Sequence, residues 1–162
     1  MVYTPILATL GYVLSESGTD VLMIHRNRRP EDLHFGKFNG LGGKLDPEED
    51  VVSGMRREIL EESGLECEEL VLKGTVNWPG FGPKGENWFG FVFRIDRTRG
   101  VLRQSNPEGT LEWVRMAGLL DLPMWPGDHH FLPLVFDRSQ RQFHGVMPYQ
   151  DGQPMGWSVS WV

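Results

Sequence analysis

Four of the nine residues from Gly36 to Lys44 are glycine, and signals for a helix begin two residues later. Glycine inside a helix costs about 1 kcal/mol relative to alanine, so this stretch reads as a loop whose backbone can come close to another group. Directly after it, Asp46 is placed to cap a helix, Pro47 suits the first helical position, and Glu49 stands three residues beyond the cap, as in a capping box. Gly64 supplies the stop. Val52, Met55 and Ile59 fall on one stripe and Gly54 lets a neighbouring element approach, so the helix is expected to be amphipathic and docked.

Strand patterns surround this unit. Ile6 to Leu14 and Asp20 to His25 flank the turn residues Ser15 to Thr19 and read as a hairpin. Further strands are expected at Leu70 to Trp78, Asn87 to Ile95 and Leu111 to Arg115, with short helices at Ala117 to Leu122 and His129 to Phe136. Gln142 to Tyr149 and Met155 to Val162 flank a turn at Gln150 to Gln153 and read as a closing hairpin. The order implies one mixed α+β domain over residues 1–162, with helices packed on a sheet.

Charge and cysteine usage exclude several functions. With 16 Lys and Arg against 22 Asp and Glu the net charge is −6, so a non-specific grip on a nucleic-acid backbone is not expected. The apolar run Pro5 to Leu14 has no Lys or Arg before it and reads as a strand, not as a signal-peptide core or a membrane span. Cys67 is the single cysteine, which rules out an internal disulfide and fits a reducing compartment, the cytoplasm. A polyanionic small molecule would need local help from a metal ion or from a few Arg and Lys.

The helix carries that chemistry. At 100° per residue, Glu61 lies about −60° and Glu62 about +40° from Glu58, so three carboxylates share one face. Like charges at these spacings each destabilise a helix by roughly 0.2–0.5 kcal/mol. Arg56 and Arg57 would balance a merely solvated acidic face, whereas a bound hard cation such as Mg²⁺, which takes carboxylate and phosphate oxygens, would reverse the cost. The adjoining Gly40 to Lys44 loop offers backbone groups and the Lys44 cation to a ligand, although it does not match a P-loop.

Gly43, five residues, Glu49, seven residues, and then Arg57-Glu58-Ile59-Leu60-Glu61-Glu62-Ser63-Gly64-Leu65 resemble the signature of the MutT/Nudix hydrolases at each of its nine constrained positions. The resemblance implies an α/β/α sandwich around a central mixed sheet, and hydrolysis of a nucleoside diphosphate linked to another group with Mg²⁺, for which Mn²⁺ substitutes. It implies Glu58, Glu61 and Glu62 as metal ligands with the Gly43 carbonyl as a further one, and an Arg57–Glu49 pair that holds the loop on the helix. Glu61 and Glu108 are the candidates for the catalytic base, Glu108 also as a metal ligand, because many relatives carry a Glu in the loop before a strand that ends in Trp, here Trp113. Glu112 reads as structural.

Lys37-Phe38-Asn39-Gly40, Met124-Trp125-Pro126-Gly127-Asp128 and Phe143-His144-Gly145 are similar in order and spacing to the animal-type oxidised-purine nucleoside triphosphatases. By that likeness Asn39 and Asp128 would hydrogen-bond a purine edge, Trp125 would stack on it, and Arg26 and Lys44 would meet the phosphates. Gly127 departs from the branch, which has two adjacent Asp after Trp-Pro, so discrimination between normal and oxidised purines is expected to be weaker or different. His129, His130 and His144 read as surface or packing residues.

The expected function is release of a monophosphate and pyrophosphate from a purine nucleoside triphosphate such as 8-oxo-dGTP, by a monomer or homodimer. A pyrophosphatase of nucleotide sugars or ADP-ribose is the alternative within the family, followed by one acting on dinucleoside polyphosphates. A nucleotide-sensing module without catalysis is the alternative outside the enzymes, and the complete set of Glu58, Glu61, Glu62 and Arg57 counts against it.

Overall fold

Alternation along the strands sets the architecture. In the computed structural model, which describes residues 1–162, β1 (Ile6–Leu14) and β2 (Asp20–His25) form the expected antiparallel hairpin. Tyr12 and Leu14 of β1 and Val21 and Met23 of β2 enter one apolar cluster, while Val13, Leu22 and Ile24 enter another on the opposite face. A strand buried on both faces belongs in the middle of a sheet.

The remaining elements are β3 (Phe38–Asn39), β4 (Leu41–Lys44), α1 (Val51–Ser63), β5 (Glu66–Trp78), β6 (Trp88–Arg99), β7 (Ser105–Asn106) and β8 (Gly109–Arg115). After them come a 3-10 helix at Met116–Asp121, α2 (Asp128–Val135), β9 (Phe143–Val146), β10 (Tyr149–Gln150), β11 (Gln153–Pro154) and β12 (Ser158–Trp161). The main sheet runs β12-β9-β5-β6-β1-β2-β8-β7 and is mixed, with β1 parallel to β6 and β5 parallel to β9. Along one edge of β1, β4 pairs with Ala8 to Gly11 and β2 with Val13 and Leu14, so the two partners fork apart there.

The two helices cover opposite faces. Met55 and Ile59 of α1 are fully buried with Phe93 and Ile95, and Phe131, Leu132 and Val135 of α2 with Val76, Val92 and Phe143. Behind α2 the buried Lys73 donates from Nζ to the carbonyls of Asp137 (2.9 Å) and Ser139 (3.0 Å), and Arg94 Nη1 donates to the same Asp137 oxygen (2.9 Å). These cations tie the exit of α2 to the sheet and so fix its first residue, Asp128. No helix is long and apolar enough to cross a membrane.

Two expectations about α1 need correction. The cap is Asp50, whose side chain accepts from the backbone N–H of Val52 and Ser53, both at 2.9 Å. Glu49 does receive the Asp46 N–H at 2.9 Å, but Pro47 and Glu48 form a turn closed by the Glu49 N–H on the Asp46 carbonyl (3.3 Å), and the Glu49 carboxylate is also held by Arg57. Val52, in the first turn of α1, is exposed although Met55 and Ile59 of the same stripe are fully buried. The stop is as expected, with Gly64 at φ +80° and its N–H bonded to the Leu60 carbonyl. β5 and β6 run further than their apolar patterns, because their ends pair with each other through alternating charged residues such as Glu66 and Arg99. At the C-terminal end β9 pairs with β12, and the Asp151-Gly152 turn, with both φ positive, joins β10 to β11 as expected for a tight hairpin.

This capping makes a measurable distinction. Asp50→Ala should lower the urea midpoint of unfolding, and Asp46→Ala should lower it less. Equal losses would return the cap to Asp46.

Candidate functional site

One guanidinium ties helix α1 to the glycine loop and to the turn that follows it. Arg57 donates to both oxygens of Glu49 (2.9 and 2.5 Å), to the Lys44 carbonyl (3.2 Å), to Glu58 (2.9 Å) and to Glu61 (3.3 Å). Those hydrogen bonds and the Asp46 N–H hold the Glu49 carboxyl down to about 2. Gly43 lies so close to α1 that a Cβ there would stand 2.5 Å from Glu58 Oε1, so a side chain at this position would displace the Glu58 carboxylate.

Glu62 is the buried member of the set. Its Oε1 accepts the Gly42 N–H at 3.0 Å, and its pKa is pushed up to about 9 by burial and by the carboxylates of Glu108 and Glu58. Glu108 reaches this group from the loop before β8, where Asn106 Oδ1 accepts its N–H (2.9 Å) and Asn106 Nδ2 ties the loop to the Glu62 carbonyl (3.2 Å). Glu61 is turned to solvent and Arg57, its side chain 60% exposed. The crowded oxygens of Glu58, Glu62 and Glu108 suit a hard divalent cation, whose charge would relieve the repulsion that raises Glu62. No three His, Cys, Asp or Glu side chains are grouped to hold a metal ion as they stand, with Glu58 and Glu61 drawn to Arg57 and Glu62 to Gly42.

These residues border a cavity of about 230 Å³ at the fork beside β1. Its lining includes Thr9 and Tyr12 of β1, Arg26, His34, Asn39, Gly42 and Gly43, then Glu62, Glu108, Trp125 and Asp128. Five buried side-chain polar atoms lack a hydrogen-bond partner, and four of them, Thr9 Oγ1, Arg26 Nε, Asn39 Oδ1 and Trp88 Nε1, belong to residues that line this cavity. Unpaired buried polar groups cost about 1–3 kcal/mol each, so their gathering marks a place built for a polar ligand.

The wall formed by α2 and its approach is aromatic. Trp125 packs edge-on against Phe81, with centroids 5.0 Å apart, and Lys37 Nζ lies 4.6 Å from the centre of its ring. Its Nε1 donates to His34 Nδ1 at 2.8 Å, and Asn39 Nδ2 lies 3.2 Å from the same nitrogen. Burial raises the Asp128 carboxyl to about 7. A Cβ on Gly127 would overlap the Met147 sulfur and the Tyr149 hydroxyl, so Tyr149 fills the space a second carboxylate would need.

The structure therefore brings Arg26, Asn39, Gly43, Glu62, Glu108, Trp125 and Asp128 to one cavity, with Glu58 against Gly43. Lys44 and Glu61 do not line it. Lys44 is exposed, 5.6 Å from the Trp88 ring centre. Arg26 is engaged by Asp32 in a close ion pair and by Glu108 at 3.6 Å, so it meets a carboxylate as well as the cavity. Glu112 pairs with His25 (3.3 Å) and Thr110, away from the cavity, and His130 stacks on Trp157. Thr9, His34, Phe81 and Trp88 escaped the sequence reading. Only the Gly80 to Gly85 loop, with its glycines around Phe81, carried a local signal.

A NUDIX domain model matches residues 4–135. The chain is 30% identical over 116 residues to an oxidized purine nucleoside triphosphate hydrolase of Mus musculus, covering 72% of each protein. It is 31% identical over 115 residues to that of Danio rerio, covering 71% of each. Among solved structures, a MutT protein from Bacillus halodurans superposes with a TM-score of 0.82 at 26% identity, over 96% of this chain and 97% of that one. With the signature helix, its carboxylates and the cavity beside them in place, the chain belongs to the Nudix hydrolase family.

Proposed function

We propose that the protein hydrolyses purine nucleoside triphosphates, oxidised ones such as 8-oxo-dGTP in preference, to the monophosphate and pyrophosphate. The observation that carries this reading is that a single cavity is lined both by Glu62 and Glu108 and by Asn39, Trp125 and Asp128, with four unpaired polar atoms among its lining residues. Such a lining suits a molecule with a polyanionic part and a flat base rich in hydrogen-bonding groups. The mouse and zebrafish relatives bear names that point the same way.

Glu58, Glu62 and Glu108, with the Gly43 carbonyl, are the groups that would hold Mg²⁺ or Mn²⁺. A divalent ion bound there supplies neutralisation of phosphate charge and a more acidic water. Glu108 is the better base for the water that attacks a phosphorus of the α–β bridge, because it borders the cavity whereas Glu61 points to Arg57 and solvent. Arg57 orients Glu58 and keeps the loop on the helix. Breaking the bridge gives one oxygen from water to one phosphorus and leaves the bridging oxygen on the other. The free buried cysteine accords with a reducing compartment such as the cytoplasm.

At the base, Asn39 and Asp128 supply hydrogen bonds and Trp125 supplies a flat apolar wall. Asp128 is neutral below about pH 7, so it can donate from its hydroxyl and accept at its carbonyl.

With Mg²⁺, the released products should be pyrophosphate and the nucleoside monophosphate, and release of inorganic phosphate with a diphosphate would contradict the proposal. Glu58→Gln should lower kcat at least about a hundredfold with the circular dichroism spectrum unchanged, and Glu108→Gln should cost more kcat than Glu61→Gln. A full-rate Glu58→Gln enzyme would remove the carboxylates from the mechanism.

Because the folded pKa of Asp128 lies above the ordinary aspartate value, the fold favours its neutral form. That contribution is present at acid pH and lost as pH rises through about 7. The melting temperature of Asp128→Asn should therefore fall less than that of the wild type between about pH 5.5 and 8, and parallel curves would show that Asp128 ionises without cost. Gly127→Asp should destabilise by about 1–3 kcal/mol through overpacking on Met147 and Tyr149, which a urea titration measures.

A further inference from the structure

The bond between Trp125 and His34 decides which end of Asn39 faces a ligand. An indole nitrogen can only donate. With Trp125 Nε1 at 2.8 Å, His34 Nδ1 must be an acceptor, and the imidazole proton resides on Nε2. Asn39 Nδ2 lies 3.2 Å from that same Nδ1. The two ends of a carboxamide are nearly equal in shape, so packing alone does not choose between them. An acceptor on the imidazole does choose, because it attracts the NH₂ end and repels the carbonyl end. The amide oxygen is thereby directed away from His34, and it is buried without a partner in the protein while Asn39 lines the cavity.

We propose that His34 is a positioning residue for base recognition: by accepting from both Trp125 and Asn39 it locks the Asn39 amide so that Oδ1 meets an N–H on the base, and holds the Trp125 ring in place beside it. This inference rests on the purine reading of the cavity. His34 lies in neither the glycine loop nor α1, and its side-chain hydrogen-bond partners, Trp125 and Asn39, are not among the groups proposed for metal binding or proton transfer. Burial and the nearby Arg26 hold its pKa down to about 4, which keeps Nδ1 an acceptor at neutral pH. The lock has a consequence for specificity. A base edge that offers N–H to Oδ1 is favoured, and an edge that turns a lone pair to the same point leaves Oδ1 unsatisfied, the kind of mismatch through which a polar site rejects an analogue.

The test compares wild type, His34→Phe and His34→Gln. The Phe variant keeps a ring without an acceptor, whereas the Gln variant restores an amide oxygen able to accept from Trp125 and Asn39. Calorimetric titration with 8-oxo-dGMP and dGMP reads binding without turnover, and steady-state hydrolysis of the triphosphates reads the split between KM and kcat. The expected result is about a tenfold rise in Kd and KM for the tighter-binding purine in His34→Phe, with kcat within about threefold and recovery to within about threefold in His34→Gln. Long-range ¹H–¹⁵N spectra of the wild type should show His34 protonated on Nε2 alone.

A His34→Phe protein that binds like wild type, a Gln variant as weak as Phe, a loss confined to kcat, or a proton on Nδ1 would overturn the proposal. Should His34→Phe not fold, the Gln variant and the tautomer decide it. A wild-type protein that binds neither purine monophosphate would strike the purine reading itself and take this inference with it.

Discussion

Arg57 is the point through which loop, helix and carboxylates are held together. Its fork of donors serves Glu49, the Lys44 carbonyl, Glu58 and Glu61 at once, a task a lysine ammonium with three donors on a flexible stem cannot perform. Without that positive charge three carboxylates on one helical face would repel one another, and the Gly42 N–H to Glu62 bond would be left to tie the glycine loop to α1. The steric fit of Gly43 against Glu58 follows from the same contact. Glu62 is excluded from this arrangement, and its raised pKa records the strain of burying a carboxylate beside Glu58 and Glu108.

The cavity owes its position to the sheet. β1 gives one edge to two partners, β2 over its C-terminal part and β4 over its N-terminal part, and Asn39 and Gly40 run between those pairings. The fork leaves a gap that no side chain of β1 fills, and α2, pinned from behind by Lys73 and Arg94, sets Asp128 at its border. Carboxylates from α1 and the β7–β8 turn thus share one space with an aromatic wall from the other side of the sheet. Tyr149 and Met147 press on Gly127 from the C-terminal hairpin, which gives the departure at that position a packing reason.

Much of this was legible in the chain. The glycine loop, the stop at Gly64 and the β1–β2 hairpin follow from local chemistry, and the spacing from Gly43 to Leu65 identified the carboxylate face. The helix start is not legible in the sequence, because Glu49 has two possible partners, the Asp46 N–H and the Arg57 guanidinium, and only the folded chain shows that it takes both. The full lengths of β5 and β6 were hidden because charged residues pair across their ends. Thr9, His34, Phe81 and Trp88 were illegible as a group, since they come from separate elements and meet only once β1, β6 and the loops are assembled. Lys44 adjoins the glycine loop in sequence, yet in space it is exposed and does not line the cavity, a placement that only the folded chain gives.

The central claim is that this cavity discriminates among bases while its carboxylates serve a common cleavage. The most direct measurement is kcat/KM with Mg²⁺ for 8-oxo-dGTP, dGTP, 2-hydroxy-dATP, GDP-mannose and ADP-ribose under one set of conditions. An oxidised purine triphosphate ahead of dGTP and of both diphosphate conjugates by tenfold or more, about 1.4 kcal/mol of transition-state discrimination, is the predicted result. Equal rates for all triphosphates, or a preference for GDP-mannose or ADP-ribose, would contradict it.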